Sequence, residues 1–332
     1  GRIHWALRHW APSSHRCVSS IVERVVLPRV TRTTGSALPR FRTPATFPTM
    51  FLPWLLLAAF DGPLPTDSTT RTIVVAPAES LRVTVDGPAD GPVVLIVPGI
   101  VSPAFAFRRV LPPLTESGVR TVVIEPLGIG SSSRPGHADY SFSAQAGRVA
   151  AVRIPRAVVL GHISSCAIAL RLAVSHPQVV RGLLLIEGGA YESAAVPGVR
   201  SALKYALLIR IFAGRGRLRK QLRKGLVESS GDTTWITDPV LEAYTQDGAG
   251  DVGAVLRALK GMQNAVEPDS LVPHLDQVRV PVRLLLGGAA HEGGPSPGRV
   301  HTLERHLPDF RIRTVFGAGA HINEEQPEVV VQ

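Results

Sequence analysis

The chain has 332 residues, 45% of them hydrophobic and 19% charged. That is enough to bury a large core, and too apolar for a disordered or acidic solvating chain. The formal charge of +10 invites a nucleic-acid partner, but residues 1–60 hold eight arginines against the single acid Glu23. That stretch carries +7 and leaves +3 for residues 61–332, where no nucleic-acid-binding module is visible.

Residues 1–49 are rich in Arg, Ser and Thr and nearly free of acids, the composition of an organellar transit peptide. A basic tail, or upstream sequence ahead of a start at Met50, explains them equally well. Residues 1–70 are therefore set apart as a basic, unstructured extension. The apolar stretch Met50–Phe60 contains Pro53 and is far shorter than the roughly 20 residues of a membrane span. The expectation is a soluble, cytoplasmic protein, or an organellar one if the transit reading holds. Two cysteines, Cys17 and Cys166, build no disulfide framework, and no metal-ligand spacing or cofactor motif is present.

From residue 72 the pattern becomes regular. Thr72–Val75 and Leu81–Val85 read as short strands, and residues 86–91 as a turn cluster. Val93–Val97, Thr121–Ile124, Ala157–Leu160 and Gly182–Ile186 are apolar runs of the kind buried on both faces of a parallel sheet. Helices are expected near Phe107–Ser117, Ser143–Val152 and Ser165–Ser175. Residues 196–270 break the alternation and read as consecutive helices. The rhythm resumes with strand Val282–Leu286, helix Ser296–His306, strand Arg311–Val315 and a terminal helix after Pro327. This is an α/β architecture, a mostly parallel sheet flanked by helices, with core segments 72–195 and 271–332 around a helical insertion.

Four segments in order carry a resemblance to a known family. They are Val97-Pro-Gly-Ile100, Glu125–Pro135 with its Gly/Ser-rich loop, Val158-Val-Leu-Gly-His162 running into Ala167–Ala173, and Phe316–Pro327. In these the chain resembles the α/β-hydrolase fold superfamily, over roughly residues 72–332. The resemblance implies a pocket at the C-terminal edge of the sheet, covered by residues 196–270 as a cap. It also implies a nucleophile on a sharp strand-to-helix turn with small residues two positions to either side.

Gly161 and Ser165 are that small pair, which puts Ile163, a residue with no nucleophilic atom, at the aligned position. Ser164 follows. It is either a nucleophile in a shifted turn or a turn serine whose backbone N–H joins that of Ile100 in an oxyanion hole. In the last motif, Ala320 stands at the aligned base position and His321 one residue late. The loop after Val282–Leu286 has no Asp, only His291 and Glu292. Glu187, after the preceding strand, matches the orienting acid of haloalkane-dehalogenase-like members. Exchanging Ile163 with Ser164, and Ala320 with His321, would restore the family pattern at both places.

The resemblance implies a hydrolase acting on a small hydrophobic ester or related substrate, with Ser164, His321 and Glu187 as nucleophile, base and acid, and with its activity impaired. The alternative is a catalytically inactive relative that binds a small ligand or a protein through the same pocket. Both readings stay open at this level. The insertion carries Lys204, Arg210, Arg215, Arg217, Arg219, Lys220, Arg223 and Lys224 without an acid from 200 to 227, an amphipathic basic face able to meet an anionic surface weakly.

Overall fold

The computed structural model describes residues 69–100, 102–192, 215–246 and 251–332. The N-terminal extension and the first part of the basic insertion, including Lys204 and Arg210, lie outside the described residues. The strands are β1 Thr69–Ala76, β2 Glu79–Asp86, β3 Val93–Val97, β4 Arg120–Glu125, β5 Ala157–His162, β6 Val180–Ile186, β7 Val282–Gly287 and β8 Phe310–Val315. Among the described residues these form one sheet in the order β1-β2-β4-β3-β5-β6-β7-β8. β1–β2 and β2–β4 pair antiparallel, and every other pair is parallel.

The apolar runs become the central strands because a parallel strand under helices on both faces has no side facing water. β4 is buried at every position, and Leu95, Ile96 and Val97 of β3 are fully buried. The strand order reverses between β3 and β5. At such a switch point the loops leaving two neighbouring strands part, and a crevice opens at their C-terminal ends. Those ends are Pro98–Ile100 and Ile163–Ser164.

The first expected helix is interrupted. Ala104–Phe107 forms a 3-10 turn, and α1 runs only from Leu111 to Glu116. Pro112 and Pro113 lack an N–H to donate, so they fit the first turn of a helix and not its middle. α2 (Phe142–Ala151) begins at Ser141, whose hydroxyl accepts from the Ala144 N–H. α3 (Ser165–Ser175) is buried through Ala173, including Arg171.

Between β6 and β7 the described helices are α4 Arg215–Glu228, α5 Asp238–Gln246 and α6 Val252–Asn264. α4 and α5 share a small core of Leu226, Trp235, Ile236, Val240 and Leu241, joined by Phe105 and Tyr244, whereas Ala258 and Met262 of α6 belong to the main core. Arg171 ties both ends of the insertion to α3. It bonds Glu192 at 2.5 Å on one side, and Asp269, with Glu267 at 3.8 Å, on the other. Part of the basic face of α4 is answered by α5, with Arg223 2.8 Å from Asp238 and Arg219 3.4 Å from Glu242. No helix of the described residues is long and apolar enough to cross a membrane.

α7 (Pro297–His306) precedes β8. The terminal helix expected after Pro327 is α9 Pro327–Val331, and a short α8 Ile322–Glu325 that the sequence did not announce precedes it. Pro327 stops α8 and starts α9, with Gln326 at φ −139° and ψ 64°, outside the helical region, between them.

Candidate active site

β5 turns into α3 through one residue in the left-handed region, Ile163, at φ +52°. A β-branched side chain there costs on the order of 1–2 kcal/mol, so the surroundings must hold it. They do so with backbone. The Ile163 N–H donates to the Ile186 carbonyl at 2.8 Å, and its carbonyl accepts from Cys166. A Cβ on Gly161 would stand 2.9 Å from Cys166 Cα, so this position admits only glycine. Ser165 closes the turn by accepting from His162 N–H at 2.9 Å while its hydroxyl donates to Val97 O at 2.5 Å. The small-residue pattern around the elbow thus has a steric cause. The side chain it presents is a hydrocarbon.

Ser164 follows in ordinary right-handed geometry as the residue preceding α3. Its Oγ accepts from the Ile100 N–H at 3.1 Å, so one of the two expected oxyanion donors is already engaged. Ser164 and Ile100 border a cavity of about 20 Å³ whose other walls include Phe142, Ile168, Tyr140 and Met262.

His321 caps α8 and is fully buried. Its Nε2 meets Ser229 Oγ at 2.9 Å, and Ser229 in turn donates to Gly225 O. Its ring lies 5.7 Å from that of His162 and 5.4 Å from Trp235. Burial, with His162 and His291 nearby, pushes the imidazole down to about 3. His162 donates from Nε2 to the Ala320 carbonyl at 2.9 Å and is held neutral down to about 4 by burial. Both rings are therefore uncharged near neutrality, with Nδ1 of each buried and unpartnered among the described residues. Ala320, at the aligned base position, is a buried alanine.

Glu187 sits at φ +51° just past β6, its carboxylate accepting from Gly287 N–H and meeting His291 Nε2 at 3.2 Å. His291 Nδ1 lies 2.8 Å from the Ala289 carbonyl, which can only accept. Burial raises the Glu187 carboxyl above its ordinary range, opposed by the Gly287 N–H and by His291.

Ser164, His321 and Glu187 thus occupy the same edge of the sheet, but no hydrogen bond among the described residues joins any two of them. Ser229 and Glu325 were not singled out from sequence, and His291 was noted only as an ionisable group of its loop, without a partner. The Glu325 carboxylate accepts from the N–H groups of Gly231, Asp232, Gly319 and His321 at 2.7–3.2 Å. The Glu-Glu-Gln-Pro run that ends the last motif was the visible signal; its long-range partners were not. Among the described residues, no group of three His, Cys, Asp or Glu side chains is arranged to hold a metal ion.

Residues 93–332 match the Alpha/beta hydrolase family. The chain belongs to that family. A haloalkane dehalogenase of Mycobacterium marinum is 28% identical over 108 residues, covering 31% of this chain and 36% of the relative. The uncharacterized hydrolase YugF of Bacillus subtilis is 21% identical over 70% of this chain and 85% of its own length. The first curated relatives are matched over only about a third to a half of their own length. Among solved structures, Cfl2 of Burkholderia cenocepacia superimposes with a TM-score of 0.64 at 22% identity, covering 79% of this chain and 92% of that one. The 2-hydroxy-6-oxo-6-phenylhexa-2,4-dienoate hydrolase of Rhodococcus has the same score at 14% identity, with 80% and 96% covered. These likenesses carry the fold.

Proposed function

We propose that this α/β-hydrolase-family chain binds a small molecule at the sheet's C-terminal edge without nucleophilic catalysis. The observation that carries the reading is Ile163. It alone between β5 and α3 has the left-handed backbone that a nucleophile elbow requires, and its side chain holds no attacking atom. Ala320 adds to this, because the aligned base position cannot take a proton. His321 does not substitute for it, being bonded to Ser229 and hard to protonate.

The hydrolase reading, with Ser164 attacking a small hydrophobic ester, draws support from Ser164 bordering the cavity beside the Ile100 N–H. It lacks a base within hydrogen-bond reach of Ser164 among the described residues. A serine that remains a full alcohol is a weak nucleophile.

A fluorophosphonate probe with mass mapping, run beside a short-chain ester assay, tests the choice. The expected result is no adduct and no turnover by the chain as it stands. A stoichiometric adduct on Ser164 overturns the reading. The paired variant Ile163→Ser with Ala320→His serves as the positive control, since it returns an alcohol to the elbow and an imidazole to the aligned loop.

A further inference from the structure

The insertion divides into two parts by what each buries. Ala258 and Met262 of α6 belong to the main core, and a Cβ on Gly261 would come within 2.6 Å of the Tyr140 ring. α6 therefore lies directly on the body of the protein. The α4–α5 pair is built around its own core of Leu226, Trp235, Ile236, Val240 and Leu241 instead. Arg223 adds cohesion within the pair, bonding Asp238 at 2.8 Å and the Ile236 carbonyl at 3.1 Å. Apolar contact with the rest runs through Phe105 and Tyr244, and through the Trp235 ring 5.4 Å from that of His321.

The polar bonds across this joint converge on α8 and the loops beside it. Tyr244 donates its hydroxyl hydrogen to Glu324 Oε1 at 2.8 Å, and Arg108 bonds the same oxygen. The Gly231 and Asp232 N–H groups donate to Glu325 Oε2 at 2.8 and 2.7 Å. Ala320 N–H donates to Ser229 O at 2.7 Å, and Glu292 N–H to Glu228 O at 2.9 Å. Two adjacent carboxylates of one short helix thus hold the pair at two points. Glu324 holds α5, and Glu325 holds the connection between α4 and α5.

At the second point backbone meets backbone. A Cβ on Gly231 would stand 2.3 Å from Gly317 O, and one on Gly319 2.6 Å from Gly231 N. Water can replace hydrogen bonds of this kind when they part, but it offers no substitute for apolar packing. A joint made mostly of such bonds opens at lower free energy than the cores on either side.

We propose that α4–α5 is a gate over His321, latched by Glu324 and Glu325, which opens as one unit while α6 stays on the main core. Opening parts Ser229 and Trp235 from His321 and brings water to a ring that is otherwise buried. Glu325 serves both sides of the joint. When the gate opens it releases Gly231 and Asp232 but keeps the N–H groups of Gly319 and His321, at 2.9 and 3.2 Å. The gate operates whether or not Ser164 attacks an ester.

Amide hydrogen exchange on the full chain, resolved by residue with NMR in urea below the unfolding transition, tests the gate. The Gly231, Asp232, Glu292 and Ala320 amides bond across the joint and should share one opening constant with a shallow urea dependence. That constant should exceed those of Gly319, His321, α6 and strands β3–β6 by at least about tenfold. Tyr244→Phe removes one hydrogen bond to a carboxylate and should raise joint opening about tenfold. Gly231→Ala drives a methyl group against Gly317 O and should raise it about a hundredfold. Tyr244→Phe keeps its ring, so it serves where the alanine variant fails to fold. Labelling of His321 by diethyl pyrocarbonate, mapped by mass, should accelerate by the same factor as joint opening in each variant.

Joint amides that exchange with the constant and the steep urea dependence of the sheet overturn the gate. Release of Gly319 and His321 together with Gly231 also overturns it, because the whole loop then opens. An unchanged joint in Tyr244→Phe removes Glu324 as a latch, and a His321 that never labels removes the gate from that ring.

Discussion

The two flanks of Ile163 are built on opposite terms. On the β3 side, Ser164, Ile100, Phe142 and Met262 border a largely apolar cavity, with Ser164 accepting from the Ile100 N–H. On the β6–β8 side, Glu187, His291, His321 and Glu325 are all buried or nearly so, and their bonds run to one another, to Ser229 or to backbone. Residue types that suggest catalysis are thus concentrated on one flank, and the lining of the described cavity on the other has no ionisable group but the Tyr140 phenol.

Perturbing each flank should expose the difference. The largest effect belongs to Glu325→Ala, which leaves four backbone N–H groups without their acceptor. It should cost about 4 kcal/mol in denaturant unfolding and loosen the loop that carries His321. A loss under about 1 kcal/mol would mean that water replaces the carboxylate and that this flank is not a locked network.

Acid should act next, and on the same flank. An unfolded imidazole gains its proton near pH 6.5, whereas His162 stays neutral down to about 4. The folded state therefore loses stability as pH falls from 6.5 to 4 and levels off below that. For His162 alone the loss reaches at most about 3 kcal/mol. Glu187 and Glu324, raised by burial, act in the opposite sense. The measurement is therefore the difference between the stability curves of the unmodified chain and His162→Gln, whose amide retains a donor toward Ala320. A flat difference across that window would show that the ring is hydrated and charged.

The smallest effect belongs to the cavity flank. Ser164→Ala removes one neutral hydrogen bond to Ile100 and should cost about 1 kcal/mol, with no pH dependence between 4 and 8. A pH-dependent loss would couple Ser164 to the imidazoles and erase the contrast between the two sides.

Much of the sheet was legible because its signal is local. A run such as Val93–Val97 is apolar at every position only when both faces are covered, and the strands fell where those runs lie. Ends were less legible where proline decides. Pro112 and Pro113 shorten one expected helix, and Pro327 starts the expected terminal helix but also ends a short one before it that was not expected. The elbow was legible too, since Gly161 and Ser165 are small for a steric reason that operates within a few residues.

Hydrogen-bond partners were another matter. Glu187 was picked out as an orienting acid from its place after β6, yet it meets His291, 104 positions away. His321 was picked out as a base, yet its Nε2 meets Ser229, 92 positions away on the insertion.

The sequence by itself determined the α/β architecture, the family and the hydrocarbon at the elbow, because periodicity and residue identity are written locally. Only the tertiary structure decided which polar atoms remain unspent. Saturation of a donor or acceptor depends on atoms that distant segments bring within 3 Å. In this chain those segments bring His291 to Glu187, Ser229 to His321 and four backbone N–H groups to Glu325, and leave Nδ1 of His162 and of His321 without a partner among the described residues.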